Sequence, residues 1–171
     1  MQKTICLLMV FLLNAGCLGE SGTEQLDSEG TMVPEFTAYD QDNIEHNLSG
    51  KIGGPWILYV STSWCTHCET TLDAYDQVIP NGSLFAFNKD SREQYSNMSE
   101  WKSQSEENIG RNLSIDFIHA PSLAEALNVT GIPRVFFVDS SGIIQNETIG
   151  VQDDSELLSD MWNDLLGEEN E

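Results

Sequence analysis

The stretch Trp56-Ile57-Leu58-Tyr59-Val60-Ser61-Thr62-Ser63-Trp64-Cys65-Thr66-His67-Cys68 decides how the rest of the chain is read. Trp56 to Val60 is an apolar run of strand length, and from Cys68 to Ile79 apolar residues recur at helical spacing. That spacing puts Cys65 at a strand-to-helix junction, on the N-terminal turn of the helix. Free backbone N–H groups and the helix dipole favour an anion there. The thiolate is the nucleophile of disulfide exchange, so the position favours a reactive sulfur. Cys68 lies one helical turn on, within reach of Cys65. Two other readings stay open. A structural zinc site needs a second pair of ligands, but after Cys17 the chain has only these two cysteines, and the remaining histidines, His46 and His119, are isolated. A purely structural disulfide over so short a loop constrains little chain. A redox-active pair is the stronger reading, with no metal and no bound cofactor.

The 171 residues suit one domain plus a leader, and 40% hydrophobic content is enough for an ordinary core. Asp and Glu number 28 against 7 Lys and Arg, a net charge of -21. That balance argues against nucleic acid and against an electrostatic grip on anionic lipid. The carboxylates are spread along the chain, as expected of a solvated surface, and their excess also fits salty surroundings.

Lys3, the apolar run from Ile5 to Leu13, and Ala15-Gly16-Cys17 have the layout of a signal peptide over residues 1–16. The ending resembles a lipobox, which implies a cut before Cys17 and a lipid on it. Asn14 departs from the Leu usual three places before the cysteine. Plain secretion and an uncleaved anchor are the alternatives. Residues 17–31 read as a flexible polar tether reaching about 20 Å. The folded domain is expected over 32–171. Six N-x-S/T sequons, at Asn47, Asn81, Asn97, Asn112, Asn128 and Asn146, are more than chance supplies, which supports export through a glycosylating pathway.

Along the domain, Thr37–Asp40 and Ile44–Leu48 read as a hairpin, and Ser83–Phe87 as a second buried strand. Ser99–Asn108 reads as a helix with Ser99 as its cap and Lys102 and Glu106 four apart. Ile115–His119 is a short extended piece and Pro121–Leu127 a short helix opened by proline. Arg134–Asp139 and Ile143–Gly150 form a hairpin. Asp153–Leu166 is a closing helix with Leu158, Met161, Trp162 and Leu165 as its apolar stripe. Strands alternating with helices before a hairpin predict an α/β layered domain.

Trp64-Cys65-Thr66-His67-Cys68 at a strand–helix junction, followed much later by Gly131-Ile132-Pro133 before a strand, resembles the thioredoxin fold. Val33-Pro34-Glu35-Phe36-Thr37 with its hairpin, and Val135 to Gly142, resemble the TlpA/ResA-like branch of membrane-tethered thiol–disulfide oxidoreductases. The resemblance implies a central mixed sheet flanked by helices, with an N-terminal β-hairpin extension. It implies a redox-active Cys65–Cys68 disulfide and a cis Pro133 facing it. Trp64, Thr66, His67 and the Ile132 backbone would support the site. Tyr59 stands where thioredoxin has a buried carboxylate. His67, as in disulfide isomerases, is placed to stabilise the Cys65 thiolate and make the disulfide more oxidising. Arg134 is expected to face solvent.

The function so implied is disulfide exchange with protein thiols and disulfides, in either direction. The chain would act as a monomer outside the cytoplasm, attached to a membrane through its N-terminus and served by a membrane redox partner. Two alternatives remain. A thiol peroxidase of the peroxiredoxin type would use Thr62, three places before Cys65, although Leu58 stands where that motif has proline. A copper-binding assembly factor would add His119 to the cysteine pair.

Overall fold

The computed structural model describes residues 30–167. The proposed signal peptide, Cys17 and nearly all of the tether lie outside the described residues. The elements run β1 (Thr31–Met32), β2 (Thr37–Asp40), β3 (Glu45–Asn47), β4 (Trp56–Ser61), α1 (Cys68–Val78), β5 (Leu84–Asn88), α2 (Met98–Ile109), β6 (Asp116–His119), α3 (Pro121–Ala126), β7 (Arg134–Val138), β8 (Ile143–Ile149) and α4 (Ser155–Leu166). Eight strands form one mixed sheet in the order β1-β8-β7-β4-β5-β6-β2-β3. The thioredoxin-like α/β architecture is the one expected.

β4 is central because all six of its residues are buried, so both of its faces need cover. Its side chains alternate between two cores. Ile57 and Tyr59 pack with α1, α2 and α4; Trp56, Leu58 and Val60 pack with α3 and the N-terminal segment. β5 runs parallel to β4 and β7 antiparallel to it. The end of β4 that leads into Cys65 therefore lies beside the start of β7, with Val60 opposite Arg134.

The β2–β3 hairpin pairs through β6 at the far edge of the sheet. β1 adds an outer strand beside β8 that the sequence did not signal, because a two-residue strand has no readable period. Local chemistry sets the helix ends. Pro121 opens α3. The Asp154 carboxylate accepts from the backbone N–H groups of Glu156 and Leu157 to cap α4, and Gly167 closes it in the left-handed region.

Three sequence expectations need correction. Ser99 does not cap α2; the helix starts at Met98, and the Ser99 hydroxyl donates to the Gln41 carbonyl. Lys102 and Glu106 do not pair. Lys102 donates to the Ile115 carbonyl and Glu106 accepts from Leu113 N–H, so both tie α2 to the following chain. His46 is not isolated. Its Nε2 lies 2.8 Å from the Asp40 carboxylate, and Lys51 Nζ lies 2.8 Å from its Nδ1. Hairpin pairing brings together groups that the sequence separates.

Candidate active site

β4 ends at Ser61, and two successive tight turns carry the chain into α1. Cys65 N–H donates to Thr62 O (3.2 Å) and Cys68 N–H to Cys65 O (3.0 Å). The helix itself begins at Cys68, with His67 at the cap position and no side-chain cap bond. Cys65 thus lies in the turn that feeds the helix, not on the helix's first turn. Helix ends commonly shift by such a margin, because the last turn tightens to i→i+3 bonding. Cys65 and Cys68 form a disulfide, with Cα atoms 5.4 Å apart. Cys65 is only 3% exposed, so its sulfur is less open than the sequence suggested. Both sulfurs border the core made by α1, α2 and α4.

Each neighbour of the disulfide is held by a definable contact. Trp64 is 59% exposed and its indole N–H donates to Asp90 (2.9 Å). The Arg92 guanidinium grips the same carboxylate through two nitrogens. Its bonds, with those from Trp64 and the Arg92 backbone, hold the Asp90 carboxyl well below the usual carboxylate range. Ser63 donates to Glu93 (2.6 Å), which also accepts from buried Asn88. The segment after β5 therefore braces the approach to Cys65 from one side. The sequence did not reveal this brace, since its partners lie 26 and 30 residues away in the chain.

Tyr59 also acquires a visible role. Its hydroxyl donates to the Cys68 carbonyl (2.8 Å) from within the core. Burial pushes the phenol well above its ordinary value, so it remains a donor. It anchors the first turn of α1 rather than replacing a carboxylate as a proton acceptor.

On the open side, His67 and Thr66 are exposed, and His67 Nε2 lies 3.3 Å from Cys65 Sγ. The Ile132–Pro133 bond is cis, as the resemblance implied. Pro133 is buried, its carbonyl accepts from Gly150, and Ile132 packs against the core that contains both cysteines. Gln152 N–H binds Thr71 on α1, which draws residues 149–152 toward the same end of the sheet and leaves Ile149 and Val151 exposed. Arg134 is not solvent-facing. It pairs with Glu147 at 2.6 Å and lies over the Phe136 ring, because β7 and β8 set the two side chains on one face.

His119 does not join the cysteines. Its Nε2 is 3.3 Å from the Asp90 carbonyl, and among the described residues the group that gathers around the disulfide is Cys65, His67 and Cys68. The Thr62 hydroxyl is buried without a hydrogen-bond partner among the described residues. Of the sequon residues, Asn81, Asn97, Asn112, Asn128 and Asn146 are exposed and Asn47 is half-buried. No described helix is long and apolar enough to cross a membrane.

Comparison with known proteins places this geometry. A candidate thiol:disulfide interchange protein DsbE from Chlorobium tepidum superposes with a TM-score of 0.66 at 20% identity, covering 81% of this chain and 98% of that one. The thio-disulfide isomerase of Thermus thermophilus gives a TM-score of 0.60 at 19% identity, covering 78% and 94%. The copper-bound ScoI of Arabidopsis thaliana gives 0.62 at 13% identity, covering 81% and 100%. These likenesses show the fold. No curated protein matches the sequence. Residues 30–147 match the AhpC/TSA family, spanning β1 to the outer strand of the closing hairpin, and the chain therefore belongs to the AhpC/TSA family of thioredoxin-like redox proteins.

Proposed function

We propose that this protein is an exported thiol–disulfide oxidoreductase that exchanges disulfides with protein substrates through Cys65 and Cys68. The observation that carries the reading is the Cys65–Cys68 disulfide at the β4–α1 junction, beside exposed Trp64 and His67 and next to the β7 end that carries Pro133. In the oxidising direction a substrate thiolate attacks Cys65 Sγ. The substrate–Cys65 bond forms, the Cys65–Cys68 bond breaks, and Cys68 leaves as a thiolate that takes up a proton. A second substrate thiol loses its proton and attacks the mixed disulfide. The substrate becomes a disulfide and the site is left with two thiols. In the reducing direction the Cys65 thiolate attacks a substrate disulfide and Cys68 releases the product. Trp64 shapes the docking surface, and Pro133 and the Ile132 backbone hold the substrate chain as an added strand.

The proposal includes attachment to a membrane through Cys17, a membrane redox partner and sugars on the sequons. The acidic surface and the exposed sequon asparagines are compatible with an extracytoplasmic setting. The test is trapping. The Cys68→Ser variant, incubated with an unfolded disulfide-containing protein, accumulates a mixed disulfide through Cys65, whereas Cys65→Ser accumulates none. Absence of an adduct on Cys68→Ser defeats the reading. Peroxide consumption that depends on Cys65 but not on Cys68 would instead point to the peroxidase alternative.

A further inference from the structure

His67 also points beyond disulfide exchange, to the reduced state of the same pair. The imidazole lies against Cys65 Sγ, with Nε2 at 3.3 Å and Nδ1 at 3.7 Å, and has no other hydrogen-bond partner among the described residues. Cys65 Sγ, Cys68 Sγ and a His67 ring nitrogen all lie within 4.8 Å of one another. A metal bound to thiolate at about 2.3 Å and to imidazole at about 2.0 Å sets its sulfur and nitrogen donors about 3.6 Å apart. The Cys65–His67 approach is already close to that spacing, and the imidazole is exposed enough to adjust. We propose that the reduced site binds one monovalent copper ion through Cys65 Sγ, Cys68 Sγ and His67.

The donor set favours a soft metal. Two thiolates and one imidazole are soft ligands that suit Cu(I). Zinc on the same three donors would need a water or other ligand to complete its fourfold shell, since no fourth Cys, His, Asp or Glu joins this group among the described residues, so zinc is the competitor that the experiment must include. The second titratable cluster, Asp40, His46 and Asp116, is a poorer candidate. Asp40 accepts from two backbone N–H groups and from His46, and the Lys51 ammonium lies against the same imidazole.

The disulfide closes the copper site, and a dithiol opens it. The dithiol gives up two electrons and two protons and becomes a disulfide, while the Cys65–Cys68 bond is cleaved to two thiols. Cu(I) then replaces the thiol protons, which pass to solvent, and the copper does not change its oxidation state. Copper binding and the disulfide thus exclude one another.

The experiment is an anaerobic titration of the reduced protein with Cu(I) in competition with a chromophoric Cu(I) chelator. One equivalent is expected to bind to the reduced protein and none to the oxidised protein. His67→Ala is expected to weaken binding about tenfold or more, and His119→Ala to leave it unchanged. X-ray absorption of the loaded protein is expected to show two sulfur donors and one nitrogen. No binding by the reduced protein, or equal binding by His67→Ala, overturns the proposal. Displacement of the copper by equimolar zinc also overturns it. Glutathione oxidation of the same preparation reads the exchange function separately, so a protein that exchanges disulfides without binding copper defeats this inference alone.

Discussion

His67 stands between the two cysteines, with its imidazole against the Cys65 sulfur. The imidazole 3.3 Å from Cys65 Sγ is placed where it would stabilise a thiolate once the disulfide opens, and so the reduced form. A more stable reduced form makes the pair a stronger oxidant. Replacing His67 by Ala is expected to move the reduction potential more negative by about 30 mV or more, the equivalent of tenfold in the exchange equilibrium. Equilibration with glutathione buffers reads it, and an unchanged or more positive potential contradicts the role. The Cys65–Cys68 pairing was legible from close spacing in the sequence, whereas the cis bond before Pro133 was what the resemblance implied. The Trp64–Asp90 and Tyr59–Cys68 contacts were not legible, because each depends on which distant segment folds alongside.

At the scale of elements, the strands and helices followed their sequence periods closely, while the ties between them did not. Arg111, at the end of α2, is the clearest case. It binds Asp73 and Asp76 on α1 and the Asp73 carbonyl, and Asp76 in turn accepts from Ser114 N–H ahead of β6. Nothing in the spacing of these residues announces that they meet. Arg111→Ala leaves the nearly buried Asp76 without its cation and is expected to cost about 1–3 kcal/mol of stability. Urea denaturation measures this, and a loss below about 0.5 kcal/mol would show that α1 and α2 are held by apolar packing alone.

The hairpin edge offers a pH test of its own. Burial lowers the Lys51 ammonium from 10.5 to about 8, against the pull of Asp116 and Asp40. Between those values the unfolded chain holds a proton at this group that the folded protein has lost. Stability from Lys51 therefore rises with pH over that window. The gain is expected from about pH 8 to about pH 10. Above that, buried Tyr59 and Tyr75, whose phenols are raised in the folded state, work in the opposite direction. Lys51→Met is expected to lose this rise relative to the parent. Denaturation midpoints of the two proteins that run parallel from pH 7 to pH 10 would contradict the assignment.

For the whole molecule, the excess of carboxylates is the dominant field. A net charge of -21 on 171 residues repels itself in the compact state, and salt screens that repulsion. The melting temperature is expected to rise between about 0.02 M and 1 M sodium chloride; a constant or falling value would mean that the charges are already balanced by local pairing. The global architecture was legible because apolar runs, the cysteine pair and the distant Gly-Ile-Pro all pointed to one fold. The sheet's outer strand β1 and the Asp40–His46–Lys51 group were not, since both are products of assembly.

The Cys65–Cys68 disulfide is proposed to serve exchange rather than stapling. The reduction potential of that pair, measured by equilibration with thiol–disulfide buffers, tests it most directly. Reversible two-electron oxidation is expected between about −120 and −270 mV, the range of thiol–disulfide oxidoreductases. A pair that stays oxidised until below about −300 mV would behave as a structural disulfide and contradict it.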